Sequence, residues 1–227
     1  MSWIIAPHRA RSGVFLSAMR HLPIELEVRG REALVIGVSA EIVSKIDRLV
    51  EAGAHVTVIA ESDHGSESES EVKERAREGI ITLHRRAFAD ADLDGKLIVF
   101  VAPFTTPEGE AEAQRLHAWA RRENRLLCTV DRPEACTFIN AAIVEVSGLK
   151  LTISTGGASP GLARRLREDL GAVLGDPRVG AFVERLRTLR EALPRGERAA
   201  RMAEAVKDFS LSATLRFPPW FDHGEDP

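Results

Sequence analysis

The 227-residue sequence has few cysteines and no long apolar run, and each shortage excludes a class of protein. Cys128 and Cys136 are its two cysteines, so it has neither a disulfide framework nor the cysteine spacing of a zinc site. No apolar stretch approaches the ~20 residues that a helix needs to cross a bilayer. The first residues lack the continuous apolar core of a signal peptide. These shortages predict a soluble, cytoplasmic protein with no membrane partner.

Basic charge is also in short supply. The chain carries 31 Lys and Arg against 34 Asp and Glu, a formal net charge of −3. A nucleic-acid-binding domain usually shows a basic excess, so we expect no nucleic-acid partner. The seven histidines are scattered without an H-x-x-x-H pair, which predicts no fixed metal site. Most of the cations are arginine, which reflects either genome composition or the binding of a polycarboxylate, because guanidinium pairs bidentately with carboxylate.

Alternating strands and helices are the main pattern of residues 21–140. A short strand is predicted at 26–28. The apolar run at 33–37 ends on glycine, as a buried parallel strand does, and a helical apolar period follows over 42–50. The alternation continues, with a polar loop at 62–70, a helix near 71–77, a helix over 107–123, and strands at 55–60, 80–83, 97–102 and 125–130. This order predicts an α/β fold with a Rossmann-like parallel sheet.

The pattern changes after residue 140. Two strand-like stretches at 142–146 and 149–154 flank Ser147 and Gly148, which predicts a hairpin. From 160 to about 209 the sequence is helical and punctuated by Gly and Pro into two or three helices. We therefore divide the chain into an N-terminal extension (1–20), a Rossmann-like domain (21–140), a short β dimerisation segment (141–160), and a C-terminal helical domain with its tail (161–227). The helical part is too small to bury much alone, which predicts packing on a partner chain or on the first domain.

The turn after the first buried strand is where a dinucleotide fold presents glycines to a pyrophosphate. It reads GVSAEI over residues 37–42, so Gly37 matches the first glycine and Ser39 stands at the second. The residues alone leave two possibilities, an NAD site or a Rossmann-shaped scaffold that binds no nucleotide. Glu61 follows the second strand, where an acidic residue holds the ribose hydroxyls, or else it is one loop carboxylate among several.

Asp131 comes directly after a predicted strand, where open α/β sheets bind ligands. It could act as a general base if partial burial tunes its pKa, or it could be an Asx-type cap before Pro133. A second turn, TGGASP over residues 155–160, lets Ser159 cap a helix that starts with Pro160, and its glycines also leave room for a bulky planar ligand.

Several stretches, in order, resemble one known family. They are HLPI at 21–24, VIG at 35–37, LVEAGA at 49–54, TVDRPEA at 129–135, FI at 138–139 and, above all, STGGASPGLARRLRE at 154–168. Together they resemble the N-terminal module of siroheme synthase, the precorrin-2 dehydrogenase and sirohydrochlorin ferrochelatase family. The resemblance runs from about residue 21 to 210.

The resemblance implies an NAD-dependent oxidation of the tetrapyrrole precorrin-2 to sirohydrochlorin. In bifunctional members of the family, insertion of ferrous iron follows, with the iron as a substrate. The resemblance also implies a homodimer. Asp131 falls on the family's catalytic aspartate, and Thr155 falls where many members have a serine near the substrate. By position, Ala40 and Glu41, and Glu61 and Ser62, match the family's NAD-contacting pairs, beside Gly37 and Ser39 of the turn.

Two departures from the family lie along the path of NAD. Members usually show three consecutive glycines where this chain has Gly37, Val38 and Ser39. They also show a Thr-Asp-Asp or Thr-Asn-like stretch where this chain has APFT at 102–105. The alternative is therefore a tetrapyrrole-binding chelatase, or a non-catalytic homologue, that has lost NAD binding.

Overall fold

The computed structural model describes residues 21–61, 65–104, 106–146, 148–219 and 221. The contacts divide the chain into two compact units that meet in sequence between Asn140 and Ala141. The predicted extension at 1–20, Ser62 of the expected NAD pair, Thr105 and the turn residue Ser147 lie outside the described residues.

A parallel sheet forms the centre of the first unit. Its described strands are hydrogen-bonded in the order β3-β2-β1-β4-β5, and every pairing is parallel, so the predicted Rossmann-like sheet is confirmed. The elements of this unit are β1 (Glu32–Ile36), α1 (Ala40–Glu51), β2 (His55–Ile59), α2 (Glu67–Arg77), β3 (Thr82–His84), β4 (Ile98–Val101), α3 (Pro107–Arg122) and β5 (Leu126–Thr129), with short 3-10 helices at Asp90–Leu93 and Pro133–Ala135.

The two faces of the sheet each bury apolar side chains. On one face, Val35, Val58 and Phe100 pack against Ile42 and Ile46 of α1. On the other face, the buried residues include Leu34, Val99 and Leu127 of the strands and Leu116 and Ala120 of α3. Because both faces are covered, the strands read as continuous apolar runs rather than as an alternation.

Local signals set the ends of α1. The Ser39 hydroxyl accepts a hydrogen bond from the Ile42 N–H at 3.3 Å and caps the helix, and Ala52 is the C-cap. Gly53 follows at φ +80°, in the left-handed region that glycine adopts without penalty. The first helix therefore begins directly at the turn that the sequence assigned to the cofactor.

Two sequence predictions for this unit were wrong. No strand forms at 26–28, where the chain is extended without a ladder partner. The helix expected near 71–77 begins at Glu67, since Ser66 and Glu69 form a reciprocal capping box with bonds of 3.2 and 3.1 Å. The polar residues 67–70, which resembled a loop, are thus the first turn of a helix, and Glu69 is buried there.

The second unit contains the hairpin and the C-terminal helices. Its elements are β6 (Ala142–Val146), β7 (Leu149–Ile153), α4 (Pro160–Leu174), α5 (Pro177–Ala192) and α6 (Arg198–Val206), and β6 pairs with β7 antiparallel. The predicted hairpin is confirmed, as are the Ser159 cap and Pro160 in the first turn of α4. Neither α5 nor α6 contains a buried residue among those described.

Candidate functional site

The carboxyl ends of the parallel strands gather most of the residues that the sequence singled out. Gly37 follows β1, Glu61 comes after β2, and Asp131 comes after β5. In a parallel sheet these ends share one edge, where open α/β proteins bind their ligands. The fold therefore brings the expected cofactor residues and the expected base of the first unit to the same edge.

The turn after β1 requires glycine at its first position. Gly37 has φ +80°, and a Cβ atom there would lie 2.8 Å from the Cβ of Ala102. Its N–H donates to the carbonyl O of Ile59 at 2.8 Å, which ties the turn to the end of β2. The side chain of Val38 packs against the core. The departure from three glycines thus places one added side chain against the core.

The first turn of α1 leaves backbone donors open. No described atom accepts a hydrogen bond from the N–H of Ala40 or Glu41. The Glu41 carboxylate is paired with Lys45 at 3.1 Å, which offsets its negative charge near the helix start. Open N–H groups and the positive end of the helix dipole attract phosphate. The turn and the helix start therefore fit the pyrophosphate of a dinucleotide.

Glu61 is the acidic residue that the sequence analysis assigned to the ribose hydroxyls. It is exposed and lies two residues beyond the end of β2, after buried Ala60, whose N–H donates to the carbonyl O of His84 at 3.0 Å. This backbone bond anchors the segment, and the carboxylate stays accessible to a ligand.

Asp131 adopts an unusual backbone conformation. Its φ is +61°, a region that few residues other than glycine enter. The side chain is exposed, so the partial burial that the sequence analysis named as a condition for a general base is not found. No described residue pairs with the carboxylate, and the 3-10 helix that follows has Arg132 as an N-cap without a side-chain bond, so the Asx-type cap is not found either. The structure leaves this carboxylate free to meet a ligand.

Two cysteines flank Asp131 in the chain, Cys128 in β5 and Cys136 directly after the 3-10 helix. The sequence analysis assigned no functional role to either thiol. The Cys136 sulfur accepts from the Thr129 N–H at 3.2 Å, and the Asn140 amide lies 3.6 Å from the Cys128 sulfur. A hydrogen bond between the thiols, together with burial, raises the pKa of Cys128 above its usual range. The same bond lowers the pKa of Cys136 to about 7. The two free thiols come together because of the conformation of the loop between them, which their spacing in the sequence did not indicate.

Thr155 belongs to the second unit and lies in the turn between β7 and α4. Its hydroxyl accepts from the Ser159 N–H at 3.1 Å and lies 3.2 Å from the Ser159 carbonyl O, so it braces this turn. Gly156 and Gly157 have φ of +63° and +90°, and a Cβ atom on either would meet nothing within 4 Å. The turn therefore offers open space above two glycines, with the Thr155 hydroxyl at its base.

Neither a metal cluster nor a membrane-spanning helix is found within the described part of the chain. No group of three or more His, Cys, Asp or Glu side chains is placed to hold a metal ion there. None of the helices described is long and apolar enough to cross a membrane.

The fold and the turn after β1 define a protein of the dinucleotide-binding class. Residues 24–142 match a family model described as putative NAD(P)-binding, and residues 147–172 match one described as sirohaem biosynthesis protein central. The first match covers more than half of the chain. The chain belongs to this NAD(P)-binding family and, within it, to the N-terminal module of the siroheme synthases, which confirms the resemblance.

Individual relatives agree with this assignment. The chain is 36% identical over 186 residues to a siroheme synthase of Thiobacillus denitrificans, covering 80% of this chain and 37% of the relative. It is 34% identical over 186 residues to the siroheme synthase of Nitrosococcus oceani, covering 81% and 38%. The chain thus spans little more than a third of the length of these relatives.

A solved structure matches the fold. SirC, described as a precorrin-2 dehydrogenase, superposes with a TM-score of 0.66 at 22% identity, over 83% of this chain and 90% of that one. At this identity the match supports the architecture.

Proposed function

We propose that the chain catalyses the NAD-dependent oxidation of precorrin-2 to sirohydrochlorin in siroheme biosynthesis. The observation that carries the proposal is Asp131, an exposed carboxylate without a described partner at the sheet edge that also holds the turn for NAD. The membership of the siroheme synthase family and the fold shared with a protein named precorrin-2 dehydrogenase support the choice of substrate.

In this proposal the first unit holds the cofactor with its backbone. The open N–H groups of Ala40 and Glu41, beside Gly37 and Ser39, bind the pyrophosphate, and Glu61 accepts hydrogen bonds from the ribose hydroxyls. The neighbouring Ser62 completes the second pair by position. Bound NAD supplies the acceptor for a hydride.

Asp131 accepts the proton that the macrocycle loses during the oxidation. Oxidation of a carbon–carbon single bond removes two electrons with one hydrogen as hydride, and a second hydrogen leaves as a proton. An exposed carboxylate can accept that proton from the macrocycle and pass it to water. We place Thr155 near the substrate because its turn leaves open space above Gly156 and Gly157 for a planar ring system.

A second candidate activity is the insertion of ferrous iron into sirohydrochlorin. The same property of Asp131 favours it, because metal entry also releases protons from the macrocycle, and these need an accessible base. Iron is a substrate in this reaction. If Ser39 prevents NAD binding, the chain would retain only this chelatase activity or tetrapyrrole binding.

We propose a homodimer whose partner covers the second unit. Helices α5 and α6 contain no buried residue among those described, and the tail after α6 exposes large apolar side chains, including Phe209, Leu211, Leu215 and Phe217. A second copy would remove this apolar surface from water. Light scattering at micromolar concentration should give the mass of a dimer, and a stable, fully folded monomer would contradict it.

We also propose a cytoplasmic location, which the two unpaired thiols support, because reduced cysteines persist in that compartment. Cell fractionation, with a periplasmic and a membrane marker followed in parallel, tests this location.

One spectroscopic experiment tests the activity. Purified protein is mixed with precorrin-2, first without NAD, then with NAD, and finally with ferrous ion. We expect the absorbance of sirohydrochlorin to develop only after NAD is added. No change with NAD, but a change on adding iron to sirohydrochlorin, would contradict the dehydrogenase and favour the chelatase.

A further inference from the structure

Arg132 and Phe104 form a contact at the carboxyl edge of the sheet. Phe104 follows β4 and Arg132 follows β5, two neighbouring strands. The guanidinium carbon of Arg132 lies 5.4 Å from the centre of the Phe104 ring. The contact therefore joins two loops at the edge where Asp131 lies.

The Phe104 ring also lies close to the backbone of α3. A Cβ atom on Gly109, in the first turn of α3, would lie 2.6 Å from the Phe104 ring. Phe104 thus occupies space that the absence of a side chain at Gly109 opens, and the guanidinium of Arg132 lies over its ring. A pre-positioned cation loses less conformational freedom when it binds an anion.

Most of the hydrogen-bonding capacity of Arg132 remains open. One of its terminal nitrogens lies 3.4 Å from a carboxylate oxygen of Glu110, longer than a good charge-assisted bond. No other described acceptor engages the guanidinium, and 38% of the side chain is exposed. A guanidinium has five N–H donors in a fork that matches a carboxylate, so Arg132 can bind a second carboxylate bidentately.

We propose that Arg132 binds a carboxylate side chain of the tetrapyrrole and thereby positions the macrocycle against Asp131. This inference rests on the proposed function, whose substrate carries several such carboxylates. Phe104 orients the guanidinium, and the Glu110 carboxylate pairs with the guanidinium in the absence of substrate. Arg132 is a substrate-binding residue, and Phe104 and Glu110 are positioning residues.

Binding of sirohydrochlorin, and of its ester with all carboxylates methylated, tests the proposal by fluorescence titration. We expect Arg132→Met to weaken binding of the acid form about 10–100-fold, the effect of one charge-assisted contact. Arg132→Lys should recover part of this loss, since it restores charge without the fork. The ester should bind wild type and Arg132→Met equally, because it presents no carboxylate.

Two further variants separate binding from structure. Glu110→Gln removes the competing carboxylate and should tighten binding of the acid form by a few-fold, which a role in stability alone would not produce. Arg122→Met removes another exposed, ion-paired arginine, at the end of α3, and should change nothing. With precorrin-2, Arg132→Met should raise KM more than it lowers kcat.

The outcomes distinguish the two proposals. Wild-type affinity for the acid form in Arg132→Met, or an equal loss for acid and ester, would overturn the role of Arg132 and leave the proposed function standing. A wild-type protein that binds no sirohydrochlorin would overturn both.

Discussion

The loops after β1 and β5 lie at the same edge of one sheet, yet they use their side chains in opposite ways. In the first loop, the Ser39 hydroxyl caps α1, Glu41 pairs with Lys45, and Val38 packs on the core. In the second loop, the Asp131 carboxylate has no described partner and its backbone is in the left-handed region. The difference suggests a division of labour, in which the first loop binds through its backbone and the second acts through a side chain.

The largest effect is expected from Asp131→Asn. The amide keeps the size and the tolerance of positive φ but cannot accept the proton, so kcat should fall about 10²–10⁴-fold, the usual contribution of a general base. Initial rates with saturating precorrin-2 and NAD measure the loss. Glu134→Gln, which changes another exposed carboxylate in the same loop, is the matched control and should retain its rate. Full activity in Asp131→Asn would show that the free carboxylate does not take part in the chemistry.

The next largest effect is expected from a substitution of Gly37, whose backbone conformation shapes the loop after β1. Gly37→Ala introduces a Cβ atom 2.8 Å from that of Ala102 at φ +80°, and we expect it to destabilise the fold by about 2–4 kcal/mol. NAD affinity, measured by calorimetry, should fall as the turn moves.

Gly30→Ala is the control that measures the cost of positive φ without a steric clash. Gly30 also has positive φ, +67°, but nothing lies within 4 Å of an added Cβ atom. Urea denaturation should show a smaller loss for this variant, about 1–2 kcal/mol. Equal losses for the two variants would mean that the close approach at Gly37 is unimportant.

The third prediction concerns Cys136, which lies beyond β5 and has a shifted pKa. A hydrogen bond from Cys128 lowers the pKa of Cys136 to about 7, so its thiolate forms at a lower pH than that of an ordinary cysteine. Its alkylation by iodoacetamide should therefore rise through pH 7 and be roughly 10-fold faster there than for an ordinary thiol. Peptide mapping identifies the site. Cys128→Ala should move this midpoint to higher pH, and a midpoint that stays near 7 would contradict the role of Cys128.

The sequence predicted the parallel sheet because apolar runs and glycine punctuation are local signals, although β3 begins two residues later than expected and no strand forms at 26–28. It placed Gly37 and Asp131 correctly at the ends of β1 and β5. It missed the start of α2, since the capping residues Ser66 and Glu69 are polar in a helix as in a loop. The contact between Phe104 and Arg132 joins residues far apart in the chain, and only tertiary structure reveals it.

The smallest expected effect concerns Ser39, and it tests whether the first loop binds only through its backbone. Its hydroxyl accepts a hydrogen bond from the Ile42 N–H at 3.3 Å. A pyrophosphate could otherwise accept from that N–H. Ser39→Ala and Ser39→Gly both free that N–H, but only glycine also removes the Cβ atom. We expect stability to fall by about 1 kcal/mol for alanine and by a few tenths for glycine. NAD binding should tighten a few-fold for glycine and less for alanine. Unchanged or weaker binding in Ser39→Gly would show that the Ser39 side chain does not compete with the cofactor, and the two loops would then differ less than the contacts indicate.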